Sequence, residues 1–195
     1  MYYVVIETDD ETNAYLNLEI PDAIPKQYQL LEGVSRLDGW PEDVVFEFSK
    51  HRPEGMNLTD YFENSSQWLI ISNRFRAVLE EFDVKDIEYL PVKIKNHKGR
   101  MASEHYWIAN FLVLTEAVDR ERSIFDDNPG SENGIFSFDK LVLREDILKS
   151  GPVIFSLKEE PMTVIARQDL VERIKEEGLT GVEFVETDNF STLEY

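Results

Sequence analysis

Residues 68–92, WLIISNRFRAVLEEFDVKDIEYLPV, return in altered form at 163–187 as TVIARQDLVERIKEEGLTGVEFVET. A shift of 95 positions carries Phe75 onto Leu170, Leu79 onto Ile174, Glu81 onto Glu176 and Val84 onto Leu179. It also lays Ile87-Glu88-Tyr89 on Val182-Glu183-Phe184. Each copy opens on an apolar run, passes through an amphipathic stretch and ends on a short apolar-acidic-aromatic strand. The pattern predicts two related strand–helix–strand units.

The helix of the first copy is expected to start at Ser72, whose hydroxyl suits an N-cap. Phe75, Val78, Leu79 and Phe82 then recur at the spacing of one helix face. Leu170, Val171 and Ile174 form the matching face in the second copy. Gly178 stands where a left-handed residue closes a helix. The position equivalent to Ser72 is Arg167, so the two caps differ.

Outside the repeat the chain reads mainly as strands. Met1–Thr8, Tyr15–Ile20, Val44–Phe48, Ile87–Lys95, Tyr106–Leu114, Ile135–Leu143 and Val153–Leu157 carry strand-like composition. Asp9–Asn13, Asp38-Gly39-Trp40-Pro41, Asn96–Arg100 and Asp126–Ser131 read as turns or loops. Leu58–Phe62 is expected to be a short helix opening at Thr59, and Glu145–Ser150 a turn or short helix. The fold class that follows is α+β, with mixed, mostly antiparallel sheets and few helices. We read 1–195 as one domain or two packed lobes. Residues 1–63 form an acidic, β-rich part, 64–187 a part holding both copies, and 188–195 an acidic, loose tail.

A chain of 195 residues buries enough surface to fold without staples. It has no cysteine, which removes disulfides, thiolate metal sites and a cysteine nucleophile. The apolar start Met1–Ile6 ends at Glu7 with no base before it, so it reads as a strand rather than a signal peptide. No apolar run approaches membrane-spanning length, and the expected compartment is the cytoplasm.

The formal net charge is −19, and its distribution is uneven. Residues 1–63 hold 14 acids against 4 bases, and 176–195 hold 6 acids and no base. Such a field repels nucleic acid and anionic membranes and speeds encounter with a basic partner.

No familiar chemistry has its residues here. Asp9, Glu11 and Asn13 alternate like a calcium loop, but Ala14 and Ile20 stand where that loop needs glycine and glutamate. His51, His97 and His105 lack metal-ligand spacing, and no phosphate loop, dinucleotide fingerprint or nucleophile elbow occurs. We assign no catalytic residue, metal or cofactor. Lys93, Lys95, Lys98 and Arg100, near Tyr106 and Trp107, alternate with apolar residues as the wet face of a hairpin does. Asp119-Arg120-Glu121-Arg122-Ser123 reads as a charged turn held by local ion pairs. The stretch most like an interface is Asp38-Gly39-Trp40-Pro41-Glu42-Asp43, a tryptophan among acids, packed on its own core or on a partner. Asp9, Asp10 and Glu11 extend the candidate acidic surface.

Three ordered segments resemble a known family. Leu69-Ile70-Ile71-Ser72 leads into Val78-Leu79-Glu80-Glu81. Asn110-Phe111-Leu112-Val113-Leu114 runs on through Ala117 and Val118 to Asp119–Ser123. Phe155-Ser156-Leu157-Lys158 is followed by Gly178-Leu179-Thr180-Gly181. In this order they resemble an immunity-protein family of bacterial polymorphic toxin systems, Imm eleven, formerly a domain of unknown function. The resemblance covers roughly residues 60–187, the amino-terminal third being looser. It implies a cytoplasmic protein that neutralises a toxin delivered by or made beside its own cell. The inhibition expected beside it is steric occlusion of the toxin, with no catalysis by this chain. Ser72, Asp119 and Ser123 match recurrent positions of the family, consistent with capping and turn formation.

The expected partner is therefore a basic toxin protein, reached through Asp9, Asp10, Glu11, Asp38, Trp40, Glu42 and Asp43. Two other readings stay open: a small enzyme with a site between the repeat units near Asp119, Arg120 and His105, or an acidic adaptor.

Overall fold

The computed structural model describes residues 1–16, 21–131 and 133–192. In chain order the strands begin with β1 (Tyr2–Glu7), β2 (Val45–Glu47), β3 (Tyr61–Phe62) and β4 (Ile70–Ser72). Helix α1 (Asn73–Glu81) follows, then β5 (Ile87–Lys95), β6 (Met101–Phe111), β7 (Leu114–Thr115), β8 (Ile124–Asp127) and β9 (Ile135–Lys140). Helix α2 (Glu145–Ser150), β10 (Ile154–Leu157), β11 (Val164–Arg167), α3 (Gln168–Glu177) and β12 (Val182–Glu186) complete the order. The fold is α+β, with open sheets of mostly antiparallel pairing. The backbone divides into two compact units, one of 1–6, 113–173 and 183–195, the other of 7–112 and 174–182.

In the larger unit the sheet order is β2-β5-β6-β4-β3. Strands β4 and β5 each lie antiparallel to β6, which sits between them, and β2 joins β5 in parallel. Alternation along β4, β5 and β6 sends Ile70, Leu90, Val92, Ile94, Tyr106 and Ile108 into a core shared with Phe46, Phe48, Phe62 and Trp68. Helix α1 starts at Ser72, whose Oγ accepts from the Phe75 amide at 3.2 Å, as the sequence predicts. Phe75, Val78 and Leu79 are its buried face. Arg76 on its other side lies over the rings of Tyr89 and Trp107, tying the helix to β5 and β6.

In the smaller unit the order is β12-β1-β11-β10-β7, with β8 and β9 as a separate hairpin. Strand β1 is antiparallel to β11, and β10 is antiparallel to β11. Tyr2, Val4, Ile6, Phe138, Phe155 and Ile165 belong to its core.

The two strand–helix–strand units are therefore both present: β4-α1-β5 and β11-α3-β12. The shift of 95 brings their helix starts, Asn73 and Gln168, into coincidence. It also pairs their helix ends. Gly178 has φ +66°, and Asp83 at the equivalent place has φ +52°. Each amide bonds the carbonyl three residues back, Gly178 to Lys175 and Asp83 to Glu80, at 3.1 Å in both cases.

Four sequence readings need correction. Tyr61 and Phe62 at the expected helix 58–62 are the strand β3, paired with Ile71 and Ile70. The Thr59 hydroxyl donates to the Tyr61 carbonyl at 2.6 Å instead of capping a helix. Asp126 and Asp127 belong to β8 rather than to a loop. The strand expected from Tyr106 begins already at Met101. The supposed loose tail is tethered as far as Thr192, whose amide donates to the Phe138 carbonyl at 2.8 Å, and Phe190 is buried. The expected strand Tyr15–Ile20 is described only to Leu16, which forms an isolated bridge with Phe48; 17–20 and the last three residues lie outside the described residues.

Candidate functional site

The residues singled out as an acidic surface fall on two loops of the larger unit. The first loop follows β1. The Asp10 carboxylate accepts from the Thr12 amide at 2.9 Å and the Thr12 hydroxyl at 2.8 Å, and these bonds hold its pKa below the usual carboxylate value. The loop is laced to 52–57: the amides of Met56 and Asn57 both donate to the Thr12 carbonyl at 3.0 Å. Gly55 is needed there, because a Cβ at that position would lie 2.3 Å from the Asn13 carbonyl oxygen.

Asp9 and Glu11, both exposed, line a cleft of about 270 Å³ together with His51, Arg52, Pro53 and Glu54. Arg52 is spoken for: it donates twice to Glu63, at 2.7 and 3.2 Å, and lies over the Tyr15 ring. Nearby, the Tyr61 hydroxyl donates to Glu7 at 3.0 Å. Burial pushes the Glu7 carboxyl above its ordinary pKa, and burial with the adjacent Glu7 pushes the Tyr61 phenol up as well.

The second loop precedes β2. Trp40 is half-buried, packs against the core cluster and donates its Nε1 hydrogen to the Pro91 carbonyl at 2.9 Å. Asp43 accepts from Lys93 at 2.6 Å, which lowers the carboxyl pKa and raises that of the lysine. Asp38 and Glu42 are exposed. Trp40 and Asp43 are thus engaged within the chain, while Asp38 and Glu42 are exposed, Glu42 adding its charge to that of Asp43 near Lys93. The cleft lining contains Asp9 and Glu11 from the first loop and no residue of the second.

The sequence reading missed what holds the second loop. Glu88 is buried on β5, opposite Asn110 of β6. Its carboxylate accepts from the Ser35 hydroxyl at 2.8 Å, the amides of Arg36 and Leu37 at 2.5 and 3.3 Å, and Asn110 Nδ2 at 2.6 Å. An acid flanked by Ile87, Tyr89 and Leu90 in an apolar strand was the available signal. Its counterpart under the shift, Glu183, is exposed.

Asp60 is a second buried carboxylate with no local sequence signal. It accepts from Ser72 Oγ at 2.6 Å, Arg74 Nη1 at 3.1 Å, and the Thr180 amide and hydroxyl at 3.0 and 3.1 Å. This network ties β3 to the start of α1 and to the loop before β12.

The residues of the alternative enzyme reading have local roles. The Asp119 carboxylate accepts from the amides of Glu121 and Arg122, both at 3.1 Å, which makes the turn. Arg120 donates to the Asn133 carbonyl at 2.9 Å and to Asp127 at 2.8 Å. His105 is exposed on β6. Ser123 is buried and its hydroxyl exchanges hydrogen bonds with the backbone of Val142.

Among the described residues no helix is long and apolar enough to cross a membrane. No curated protein matches the chain. The model of the Immunity protein family (Imm11) matches residues 5–189, so the match takes in the amino-terminal third that looked looser from sequence. With all but a few terminal residues aligned, the chain belongs to the immunity protein family Imm11.

Proposed function

We propose that this protein binds a cognate bacterial toxin and occludes it through an acidic surface, with no chemistry of its own. The carrying observation is the family match over 5–189. The net charge of −19 supports a basic toxin as partner, because opposite fields raise encounter rates and select the partner's orientation. It argues equally against nucleic acid or an anionic membrane as the target. Asp38 and Glu42 are exposed acids of the second loop that can meet that partner. Asp9 and Glu11, exposed on the first, add to the field that draws it in without needing to enter the contact. Asp10 contributes its charge from within a fixed turn, while Trp40 and Asp43 support the second loop. The cytoplasm is the compartment in which such a protector would act.

The test is co-expression with the protein encoded by the neighbouring reading frame. Toxicity of the neighbour alone, relieved by this chain with formation of a stable complex, is the expected outcome. A harmless neighbour that forms no complex would remove the reading. The electrostatic part is tested separately: affinity should fall as salt is raised from 0.05 to about 0.5 M, since screening shortens the reach of surface charges. Salt-independent binding would remove the charge argument and leave occlusion standing.

A further inference from the structure

Within the immunity reading, on which this step rests, we infer that residues 27–43 form the docking face, with Leu37 as its apolar anchor, and that the occupant is a basic protein surface bearing an apolar recess. The segment exposes Tyr28 at 58%, Val34 at 37% and Leu37 at 60%. A single exposed leucine is ordinary. Here three large apolar side chains leave one short segment that is tied together and charged at its rim.

The tie is chemical. Arg36 turns inward, donating to Gln29 Oε1 and, at 2.8 Å, to the Pro25 carbonyl, which joins the Leu37 side of the segment to the turn carrying Tyr28. Asn110 Nδ2 holds the Val34 carbonyl at 2.9 Å. Glu88 holds Ser35, Arg36 and Leu37 from below, and Trp40 fastens the far end to Pro91. Interface tryptophans are often the anchor; this one is the rivet, and Leu37 takes the outward place. A loop fixed before binding loses less conformational freedom on association.

Charge names the occupant. Residues 27–43 hold four acids and one base, and the base, Arg36, is the one folded inward. Of the acids, Asp43 is paired with Lys93, which leaves Glu32, Asp38 and Glu42 exposed around the apolar side chains. An apolar centre with an acidic rim fits a basic surface with an apolar recess, the rim steering approach and the centre slowing release. The loop 9–11 offers acids without an apolar centre.

The experiment measures binding of the neighbouring reading frame's product to four forms of the full chain. These are the wild type, Leu37→Asp, the pair Asp38→Lys with Glu42→Lys, and the pair Asp9→Lys with Glu11→Lys. All substituted side chains are exposed, and unchanged melting curves verify folding. Leu37→Asp should weaken affinity about 10-fold or more, as loss of an interface anchor does. The 38/42 pair should slow association, and the 9/11 pair should leave affinity within about threefold of wild type, as for charges outside the contact. Wild-type binding that Leu37→Asp leaves intact overturns the docking face and spares the immunity reading. Loss of binding in the 9/11 pair alone does the same, moving the face to the cleft. A wild type that binds nothing overturns both. Self-association abolished by Leu37→Asp would name a second copy as the occupant and overturn the assignment of a basic partner.

Discussion

Tyr2 and Tyr106 occupy the same place on the strands that lie between the two strands of each strand–helix–strand unit. Tyr2 of β1 faces Arg167 of β11, and Tyr106 of β6 faces Ser72 of β4, positions that the repeat superimposes. Tyr2 donates its hydroxyl to the Pro152 carbonyl at 3.2 Å, Tyr106 to the Thr59 carbonyl at 2.7 Å. Each ring also meets a phenylalanine two strands across the sheet, Phe155 of β10 at 5.9 Å and Phe62 of β3 at 4.9 Å. The arrangement is shared, but the connection is not. In one unit the middle strand is β6, which follows β5 through a tight turn; in the other it is β1, from the chain's amino terminus.

If the two tyrosines are equivalent, Tyr2→Phe and Tyr106→Phe should have matched costs. Each removes the hydroxyl from a carbonyl and keeps the ring, a loss of about 1 kcal/mol. Urea unfolding of both variants checks this. A large cost at one site and none at the other would break the equivalence.

The helix ends make a sharper test. Asp83 carries a left-handed backbone that glycine adopts without penalty, as Gly178 does in the other copy. Asp83→Gly should therefore stabilise the fold by about 0.5–1 kcal/mol. The exposed contact of Asp83 with Lys85 offsets little of that gain. Gly178→Ala should lose a comparable amount. Thermal melts of the two variants should move in opposite directions.

Removing the hub at Asp60 should be among the most damaging changes. Asp60→Ala leaves the Ser72 hydroxyl and the Thr180 amide without their acceptor, and a loss of about 3 kcal/mol is expected. Asp60→Asn, which keeps one acceptor oxygen, should lose less. Equal stability of Asp60→Ala and wild type in denaturant would show the network to be dispensable.

Two glutamates set a pH dependence. Burial raises the carboxyl pKa of Glu160, which accepts from the Thr163 hydroxyl at 2.5 Å, and that of Glu7. The unfolded chain then releases these protons at lower pH than the folded one. Their contribution is therefore full below the ordinary glutamate range and is lost as pH rises through the raised folded values. Glu7→Gln and Glu160→Gln should each be more stable than wild type at neutral pH, with the advantage vanishing towards pH 4, near the ordinary glutamate value. Denaturant midpoints measured across that range decide it.

Local chemistry made much of this fold legible. Ser72 before an apolar periodicity, Gly178 after one, and the alternation along Ile87–Lys95 each report a conformation set within a few residues. Leu58–Phe62 was misread for the complementary reason: a threonine before apolar residues suits a helix start as well as an edge strand, and the pairing with Ile70 and Ile71 decided between them. Trp40 stands out in the sequence as a rare side chain among acids, yet its direction depends on the Pro91 carbonyl of a strand far along the chain. Glu88 was visible only as an acid in an apolar strand, with nothing local to say that three donors of another loop converge on it.

By itself the sequence determined the charge, the absence of thiol chemistry, and the identity of the two repeated strand–helix–strand segments, because each depends on composition or on contacts within a few residues. Only the tertiary structure decided that β1 fills the middle of one unit as β6 fills the other, and that Leu37 faces outward where Trp40 turns in. Backbone hydrogen bonds along a strand edge are the same for every sequence, so no residue of β1 names the strand beside it; the register is chosen by what the whole sheet buries.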